Sequence, residues 1–381
     1  MLHSYAFSNF RSFLERVEVN LTLAENAAVT GWAMRSAAGP KVTTALGVLG
    51  PNASGKTSLL QPLAFLSWFI PYSFHARPEA EIPVAAHFFA PDDPTTFEVI
   101  SDAAEDGKFW KYSLSVTKSR VLSESVEQKT GRGAWRPLFT RVWIDGKYQV
   151  HQSDVGLDPG QASLVRQNAS LISWALQYGV SWAQQLASFV LRTNIDVYGR
   201  VTQPDDAVER CAQLYHNNPE MRQRMSELLA QWDLGLSEVR THEFEVPDSA
   251  DPNGPKRKRW FPYGVHAGRR PDDPPHFLSF HEESSGTRSA FLLLAEILYA
   301  LSVGGLVVYD ELDTDLHPML LQSLLDLFST PEVNPKRAQI LFTTHQVEVL
   351  RILQKSQIVL VEKDAHESHA WRLDEIEGIR R

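Results

Sequence analysis

The chain has 381 residues, of which 43% are apolar and 22% charged, so it can bury a large core in two or three structural units. Its formal net charge of −9 excludes a surface that is basic overall, and any nucleic-acid contact must come from a local basic patch. The single cysteine, Cys211, excludes an internal disulfide framework and a cysteine-clustered zinc site; as a small buried apolar side chain it fits a reducing cytosol.

The N-terminal stretch lacks a basic segment followed by an apolar run, so we expect no signal peptide. The most apolar stretch, residues 59–74, contains Gln61, Pro62 and Pro71 and is too short to span a bilayer. An internal proline removes a helix hydrogen bond, so Pro62 should kink any helix here. We expect a cytoplasmic protein that does not itself enter a membrane.

The first part of the chain is rich in strand signals. A short apolar run at 44–49 stops at a Gly-Pro pair and predicts a buried strand. Segments 97–101, 109–116 and 141–150 alternate or favour β-branched and aromatic residues, which predicts antiparallel strands. We expect an N-terminal lobe over residues 1–134.

The middle of the chain has a different pattern. From about 155 to 240 apolar residues recur at helical spacing, which predicts helices. Residues 247–275 are proline-rich and include the run KRKR, which indicates an exposed connection. We expect a helical insertion with a basic linker over residues 135–275.

Strands and helices alternate in the last part of the chain, 276–381. The predicted order is a helix at 285–301, a strand at 306–309, a helix at 318–328 and strands at 339–342 and 357–361. Alternation of this kind predicts a mainly parallel sheet. The α/β unit is therefore expected to be split between the two ends of the chain.

Residues 50–57, GPNASGKT, match the phosphate-loop pattern G-x-x-x-x-G-K-[ST] in full. Glycines allow the tight curve that turns several N–H groups onto phosphate oxygens, Lys56 adds a cation, and the Thr57 hydroxyl can ligate Mg²⁺. ATP and Mg²⁺ are therefore the expected cofactors. We assign nucleotide binding to Gly50, Pro51, Asn52, Ala53, Ser54, Gly55, Lys56, Thr57 and Ser58.

Two further strand ends carry candidate catalytic groups. An apolar strand ending in Asp310-Glu311 would hold Asp310 near Mg²⁺ and Glu311 near the γ-phosphate, where it could polarise the attacking water. His345, after another apolar strand, could hydrogen-bond the γ-phosphate. A lone histidine after a strand is more often a capping or solvated residue, but its position about 35 residues beyond the acidic pair favours the functional interpretation.

Residues 283–287, ESSGT, open the helix before the acidic strand. Small residues and unpaired N–H groups at a helix start form an anion site, and Ser284 or Ser285 acts as an N-cap in either case. A phosphate loop covers only one side of a nucleotide, so this second site would serve the γ-phosphate held by a partner subunit.

Together these motifs resemble the ABC-type ATPase heads of the SMC, RecF and OLD group. They are nearest to the stand-alone RecF-like AAA ATPases of bacterial defence systems such as PARIS and retron or Septu modules. The matching stretches, in the family's order, are FSNFRSF (7–13), GPNASGKT (50–57), ESSGT (283–287), VVYDEL (307–312), LDTDLHP (312–318) and TTHQ (343–346). The resemblance implies an α/β P-loop NTPase fold with a mixed sheet, an antiparallel β lobe and an inserted helical domain.

The resemblance also implies roles for individual residues. Ser284 and Gly286 would be the signature that completes the site of the other subunit in a head-to-tail homodimer, with Asp313 in the loop that crosses the dimer. His345 would be the switch histidine. Arg11 would lie near the nucleotide phosphates.

The implied function is an ABC-class ATPase with Glu311, Lys56 and His345 as catalytic residues. Its nucleotide-driven dimerisation would control a partner effector or a nucleic-acid transaction in anti-phage defence. The nucleotide-binding subunit of a membrane transporter is an alternative, but the signature is not LSGGQ and residues 83–98 offer no convincing metal-sensing glutamine. A second alternative function is an ATP-gated scaffold with little turnover.

The most basic stretch, Lys256–Arg259, precedes Trp260. It could grip a phosphate backbone while the indole stacks on a base, or it could be a solvated loop of an acidic protein. His366 and His369, near the end of the chain, are interpreted as surface residues on a polar turn.

Overall fold

The computed structural model describes residues 1–25, 31–102, 107–131, 133–153, 156, 158–187, 189–232, 235–246, 256–270, 272–314 and 320–376. Parts of several predictions lie outside these residues. They include residues 315–318 of the LDTDLHP stretch, the expected helix start at 318, residues 247–255 and 271 of the expected connection, and residues 155, 157, 188, 233 and 234 of the expected helical region.

The described strands and helices follow in chain order. The strands are β1 (Leu2–Ser8), β2 (Val17–Asn20), β3 (Ala33–Arg35), β4 (Lys41–Thr43), β5 (Ala45–Leu49), β6 (Thr95–Ser101), β7 (Lys108–Val116), β8 (Val121–Thr130), β9 (Arg136–Ile144), β10 (Lys147–Gln152), β11 (Leu191–Thr193), β12 (Glu238–Val246), β13 (Arg257–His266), β14 (His276–Ser279), β15 (Leu306–Tyr309), β16 (Gln339–Thr343), β17 (Ile358–Asp364) and β18 (Glu367–Arg372). The α-helices are α1 (Lys56–Tyr72), α2 (Pro159–Ser163), α3 (Leu171–Gln177), α4 (Ser181–Ala187), α5 (Ala207–Asn217), α6 (Pro219–Gln231), α7 (Ser285–Val303), α8 (Leu320–Asp326) and α9 (Val349–Ile352).

The chain divides into two compact units. The first comprises Met1–Val201, Val303–Glu311 and Leu325–Arg381, and the second comprises Thr202–Ser302 and Leu312–Leu324. The two ends of the polypeptide therefore belong to one unit.

A six-stranded mixed sheet forms the centre of the first unit, in the order β11-β15-β16-β5-β17-β18. The strands from β11 to β17 pair in parallel, and β18 pairs antiparallel with β17. β5 and β16 are buried along their whole length, as the apolar runs at these positions predict. Parallel pairing brings the carboxyl ends of β5, β15 and β16 to one edge, where ligands bind in such sheets.

A seven-stranded antiparallel sheet, in the order β10-β9-β8-β7-β6-β1-β2, completes the antiparallel lobe. The predicted strand at 141–150 is a hairpin of β9 and β10 whose two turn residues, Asp145 and Gly146, have φ values of 50° and 80°. An Asp-Gly pair readily adopts such a turn. Because β9 and β10 pair into this sheet, it continues past residue 134, where the N-terminal lobe was expected to end.

The two sheets are joined by polar and aromatic contacts. The buried amide of Gln339 on β16 accepts from the Leu2 N–H at 2.6 Å and donates to the Leu2 carbonyl at 3.0 Å. On α1, the Phe65 ring stacks on Phe97 of β6 with 4.8 Å between ring centroids. The helix runs from Lys56 through Pro62 to Tyr72.

A buried polar network connects α3 to the antiparallel sheet. The Glu124 carboxylate on β8 accepts from Tyr112 Oη at 3.1 Å, from Ser170 Oγ and from the Leu171 N–H at 2.8 Å. Arg141 on β9 lies 3.7 Å from the same carboxylate, and both side chains are fully buried. Glu124 thereby satisfies N–H and O–H donors at the start of α3.

The second unit contains helices and a three-stranded antiparallel sheet, β12-β13-β14. Tyr215 of α5 packs on Phe291 of α7 with 5.0 Å between ring centroids, and its hydroxyl donates to the Phe291 carbonyl at 3.1 Å. The expected exposed connection at 247–275 is wrong for the segment Arg257–His266, which forms β13. Pairing with β12 on one side and β14 on the other outweighs the proline and charge signals of this segment.

Among the described residues, α7 is long and apolar enough to cross a membrane, with a mean hydropathy of 1.3 over an 18-residue window. Half of that window is buried inside the protein. The core helix of a folded domain has the same length and composition, so the helix alone is weak support for a membrane span.

Candidate functional site

The loop between β5 and α1 is shaped by two glycines packed against the β17–β18 hairpin. A Cβ atom on Gly50 would lie 2.1 Å from the Val361 carbonyl oxygen, and one on Gly55 would lie 2.5 Å from Ser368 Oγ. Gly55 also has a φ of 109° immediately before α1, a conformation that side chains disfavour. Close packing and backbone conformation therefore both require glycine here.

The donors of this loop match an anionic ligand. Lys56 Nζ bends back and donates to the carbonyls of Gly50 and Pro51 at 2.9 Å each, and the lysine is largely buried. The first N–H groups of α1 have no acceptor within the helix and carry partial positive charge. Ser54 Oγ is buried without a hydrogen-bond partner among the described residues. These groups fit the oxygens of a triphosphate.

The loop opens on a cavity of about 490 Å³, a typical size for a small-molecule site. The lining comes from both ends of the chain and consists of Ser12, Asn52, Ala53, Gly55, Lys56, Thr57, Ser58, Asp310, Glu311, His345 and Lys363. Every one of these residues belongs to the first unit. The structure therefore brings the phosphate loop, the acidic pair and the histidine to one place.

Asp310 and Thr57 place a carboxylate and a hydroxyl oxygen side by side next to the loop. Thr57 Oγ1 donates to Asp310 Oδ2 at 2.8 Å, and Thr343 Oγ1 donates to Asp310 Oδ1 at 2.7 Å. Hydroxyl and carboxylate oxygens are the ligands that Mg²⁺ prefers. The two residues expected to hold the metal thus fit Mg²⁺ next to the phosphate loop.

Asn194 fixes the backbone of Asp310 and was missed by sequence reasoning. Its Nδ2 donates to the Asp310 carbonyl at 2.9 Å, and its Oδ1 accepts from the Asp310 N–H at 2.8 Å. The residue follows β11, which pairs with β15 at the edge of the sheet. β11 is only three residues long and lies in a region of helical periodicity, so no sequence pattern marked it.

Glu311 adopts a left-handed conformation, with a φ of 51°, which is uncommon for a residue other than glycine. Its N–H donates to Thr343 Oγ1 at 2.7 Å. Its Oε2 accepts from Arg200 Nη1 at 2.7 Å, and both side chains of this ion pair are partly exposed. Arg200 was not predicted, because only the fold places it near the acidic pair.

Two further residues that line the cavity were also not predicted from the sequence. Lys363 of β17 adds a second cation to the cavity lined by Lys56. Ser12 follows the N-terminal turn, and its hydroxyl is hydrogen-bonded to the Ser368 hydroxyl with 2.8 Å between the two oxygens. Both depend on the β17–β18 hairpin lying against the phosphate loop.

Arg11, expected near the phosphates, is not among the residues that line the cavity. Its Nη2 donates to the Val197 carbonyl, and its φ is 57°. Burial lowers the pKa of this guanidinium, and nearby Asp196 opposes that shift. The next residue, Ser12, lines the cavity.

The signature residues Ser284 and Gly286 lie at the start of α7 in the second unit. Ser284 Oγ accepts from the Thr287 N–H at 3.1 Å, so it caps the helix. Among the described residues, a Cβ atom on Gly286 would meet Ser284 Oγ alone, at 3.9 Å. A role toward the other subunit remains a prediction, as does the role of Asp313.

The basic run is partly neutralised by acidic side chains of the second unit. Lys258 Nζ lies 2.7 Å from Glu243, and Arg259 Nη2 lies 2.6 Å from Glu209. Arg257, Lys258 and Arg259 lie on β13 rather than on a loop. Because a phosphate backbone would have to compete with these carboxylates, the run is a weaker nucleic-acid site than its sequence predicts.

A family model described as "AAA domain, putative AbiEii toxin, Type IV TA system" matches residues 46–351, more than half of the chain. The chain belongs to this AAA family. No curated protein matches the sequence.

Two solved structures resemble this AAA family member in fold. One is an SmcHead bound to the C-winged helix domain of ScpA, with 11% identity, a TM-score of 0.52, and coverage of 98% of this chain and 99% of that chain. The other is an Smc head domain with an extended coiled coil bound to the C-terminal domain of ScpA, derived from Pyrococcus furiosus, with 11% identity, a TM-score of 0.51 and coverage of 98% and 97%. The predicted α/β P-loop fold with a mixed sheet and an antiparallel lobe is confirmed.

Proposed function

We propose that this AAA family member binds ATP with Mg²⁺ and hydrolyses it. The observation that carries the proposal is the 2.8 Å hydrogen bond between Thr57 and Asp310, which lie 253 positions apart in sequence. Lys56 and Glu311 line the same cavity. A phosphate cradle, two metal ligands and a carboxylate thus surround one volume of nucleotide size.

Each residue has a definite role in the proposed reaction. Lys56 and the N–H groups of the loop bind the β- and γ-phosphates, while Thr57 and Asp310 hold Mg²⁺, which neutralises phosphate charge when bound. Glu311 orients and polarises the water that attacks the γ-phosphorus, and the bond to the β–γ bridging oxygen breaks to give ADP and phosphate. His345 donates to the γ-phosphate and responds to its loss.

The active form in this proposal is a head-to-tail homodimer in the cytoplasm. Ser284 and Gly286 of one copy complete the site around Lys56 of the other, with Asp313 in the crossing loop. The start of α7 supports this arrangement, because Ser284 and Ser285 are exposed there.

We further propose that ATP-driven dimerisation controls a partner effector in anti-phage defence. The family description names a toxin–antitoxin system, and the similar Smc heads were solved with a bound ScpA domain, which supports a protein partner. Control of a nucleic-acid transaction through the Lys256–Arg259 run has less support, because two of its charges face carboxylates.

An ATP-gated scaffold with little turnover is the second candidate. The Arg200–Glu311 ion pair favours it, since a carboxylate oxygen bound to a guanidinium is not available to orient water. If wild-type protein dimerises with ATP but releases no phosphate, the scaffold function is supported over ATP hydrolysis.

The proposed hydrolysis is tested with Lys56→Ala and Glu311→Gln. We expect Lys56→Ala to abolish detectable ATP binding, because the desolvated ammonium is the cation nearest the phosphates. Glu311→Gln should bind ATP normally, accumulate as a dimer and hydrolyse about 10²- to 10⁴-fold more slowly. Isothermal titration, sedimentation and phosphate release measure the three quantities.

The matched control is Glu348→Gln. Glu348 is exposed, follows β16 and is not among the residues that line the cavity. It should hydrolyse ATP at the wild-type rate. Wild-type turnover in Glu311→Gln would show that Glu311 is not the general base.

A further inference from the structure

The loop at residues 194–201 follows β11 and contacts both acids of the candidate site. At its start, Asn194 holds the Asp310 backbone through two hydrogen bonds. Near its end, Arg200 Nη1 donates to Glu311 Oε2 at 2.7 Å and forms an ion pair with it. One short segment thus holds the proposed metal ligand and also the proposed general base. The reaction described above gives the second of these contacts no role.

The loop is closed by hydrogen bonds of its own. The Val201 N–H donates to the Asn194 carbonyl at 2.8 Å, and the Asp196 N–H donates to the Gly199 carbonyl at 2.8 Å. The Asp196 carboxylate also accepts from the Gly199 N–H at 3.0 Å. Because these bonds join the two ends of the loop, the backbone of Arg200 is fixed relative to Asn194.

The Glu311 backbone is fixed as well, so its carboxylate moves mainly by side-chain rotation. The Glu311 N–H donates to Thr343 Oγ1, and the preceding residue, Asp310, is held at its N–H, its carbonyl and its carboxylate. The contacts of the Glu311 carboxylate therefore decide which rotamer the side chain adopts. Arg200 supplies one such contact, and a carboxylate oxygen that accepts from a guanidinium has less capacity to accept from water.

The ion pair lies where the chain passes from one unit to the other. The first unit ends at Val201, one residue after Arg200, and its second segment ends at Glu311. Both partners of the ion pair are therefore within one residue of a covalent connection to the second unit. A displacement of the second unit would reach Arg200 and Glu311 through the chain itself.

We infer that Arg200 restrains Glu311 and thereby keeps the resting ATPase slow. The inference rests on the proposed function, to which it adds a positioning residue that regulates the general base. The Arg200 and Glu311 side chains are 35% and 40% exposed, so water competes for the pair. Loss of an exposed ion pair changes an equilibrium by about 1.4- to 5-fold. A restraint of this size is readily reversed, as a regulatory contact must be.

The test compares ATP hydrolysis by wild-type protein and by Arg200→Ala. We expect the variant to raise kcat about 1.4- to 5-fold at saturating ATP and Mg²⁺, because the Glu311 carboxylate then contacts water more of the time. The KM for ATP should stay within about twofold, since the phosphate loop is unchanged. A gain in kcat separates a restraint from a merely structural role, because structural damage lowers activity. Phosphate release measures both parameters.

Ionic strength gives an independent measurement. Because salt screens an exposed ion pair, the ratio of the Arg200→Ala rate to the wild-type rate should fall toward one between about 0.05 M and about 0.5 M NaCl. Effects of salt on the phosphate loop cancel in this ratio, since both proteins have the same loop. A rate ratio that does not change with salt would contradict an electrostatic restraint.

Two matched variants complete the experiment. Arg200→Lys keeps a cation that can replace the single Nη1 contact, so its kcat should stay close to the wild-type value. Arg210→Ala removes another exposed arginine, which forms an ion pair with Asp206 in the second unit, and should leave kcat unchanged.

The outcomes distinguish this inference from the proposed function. If Arg200→Ala hydrolyses ATP at the wild-type rate or more slowly, the restraint is refuted and the ATPase proposal stands. If neither wild-type protein nor Arg200→Ala releases more phosphate than Lys56→Ala, the proposed function fails and the inference fails with it.

Discussion

Asp310 is held at its backbone and at both carboxylate oxygens. Asn194 fixes the N–H and the carbonyl, while Thr57 and Thr343 each donate to one carboxylate oxygen. A metal ligand fixed in this way loses little further freedom when the cation binds. At the residue scale the site is therefore pre-organised in part by Asn194 and Thr343, which have no role of their own in the proposed reaction.

We expect Asn194→Ala to bind ATP with little change but to require more Mg²⁺ and to hydrolyse about tenfold or more slowly, because the Asp310 backbone loses both contacts. The lost hydrogen bonds should lower the free energy of unfolding by about 1–3 kcal/mol. Phosphate release titrated against Mg²⁺, with urea denaturation in parallel, measures both effects. An unchanged Mg²⁺ dependence would argue against a positioning role.

At the scale of elements, Glu124 and Arg141 connect α3 to strands β8 and β9. Arg141 donates to the carbonyls of Val165, Arg166 and Ala169 in the segment before α3. Burial raises the pKa of Glu124, although Arg141 and the donors of α3 oppose the shift. Short helices such as α3 are not stable alone, so these contacts fix its position.

We expect Glu124→Gln to lower the free energy of unfolding by about 1–3 kcal/mol, because an amide cannot accept from all the donors that face it. A raised folded-state pKa favours the protonated carboxyl, so the contribution is complete below the unfolded-state pKa of about 4.3 and is lost as pH rises through the folded-state value. The stability difference between wild type and variant should therefore shrink with rising pH. Urea denaturation between pH 4 and 7 measures this trend, and a difference that grows would contradict it.

At the scale of the whole molecule, the nucleotide cavity lies entirely within the first unit, whereas the signature residues lie in the second. A head-to-tail dimer would give each site one contribution from each copy. In such a dimer ATP would favour association, since the nucleotide itself would become part of the interface.

We expect Ser284→Arg to bind ATP but to lose ATP-dependent dimerisation and at least tenfold of its hydrolysis, because a bulky cation then occupies the shared edge of the site. Mixing Ser284→Arg with Lys56→Ala should restore part of the activity, since one of the two sites in such a heterodimer is intact. Ser302→Arg, at the other end of α7, is the control. Full activity of Ser284→Arg alone would refute a shared site.

The sequence by itself predicted the phosphate loop, the acidic pair, His345 and most strands of the central sheet. These features are local, because glycine spacing, apolar runs and polar residues at strand ends are all read along the chain. β13 was missed because its proline and charges look like a loop until β12 and β14 pair with it. β11 was missed because three residues are too few to show a strand-like pattern of apolar residues.

Only the tertiary structure decided which distant residues serve the site. Asn194, Arg200 and Lys363 have no motif, and they reach the cavity because parallel pairing aligns the ends of strands that are far apart in sequence. Contacts at long sequence separation depend on how the strands are ordered in the sheet, and local propensity does not encode that order. Short sequence motifs thus identify the residues proposed to bind and hydrolyse ATP, whereas the fold brings those residues together in one cavity.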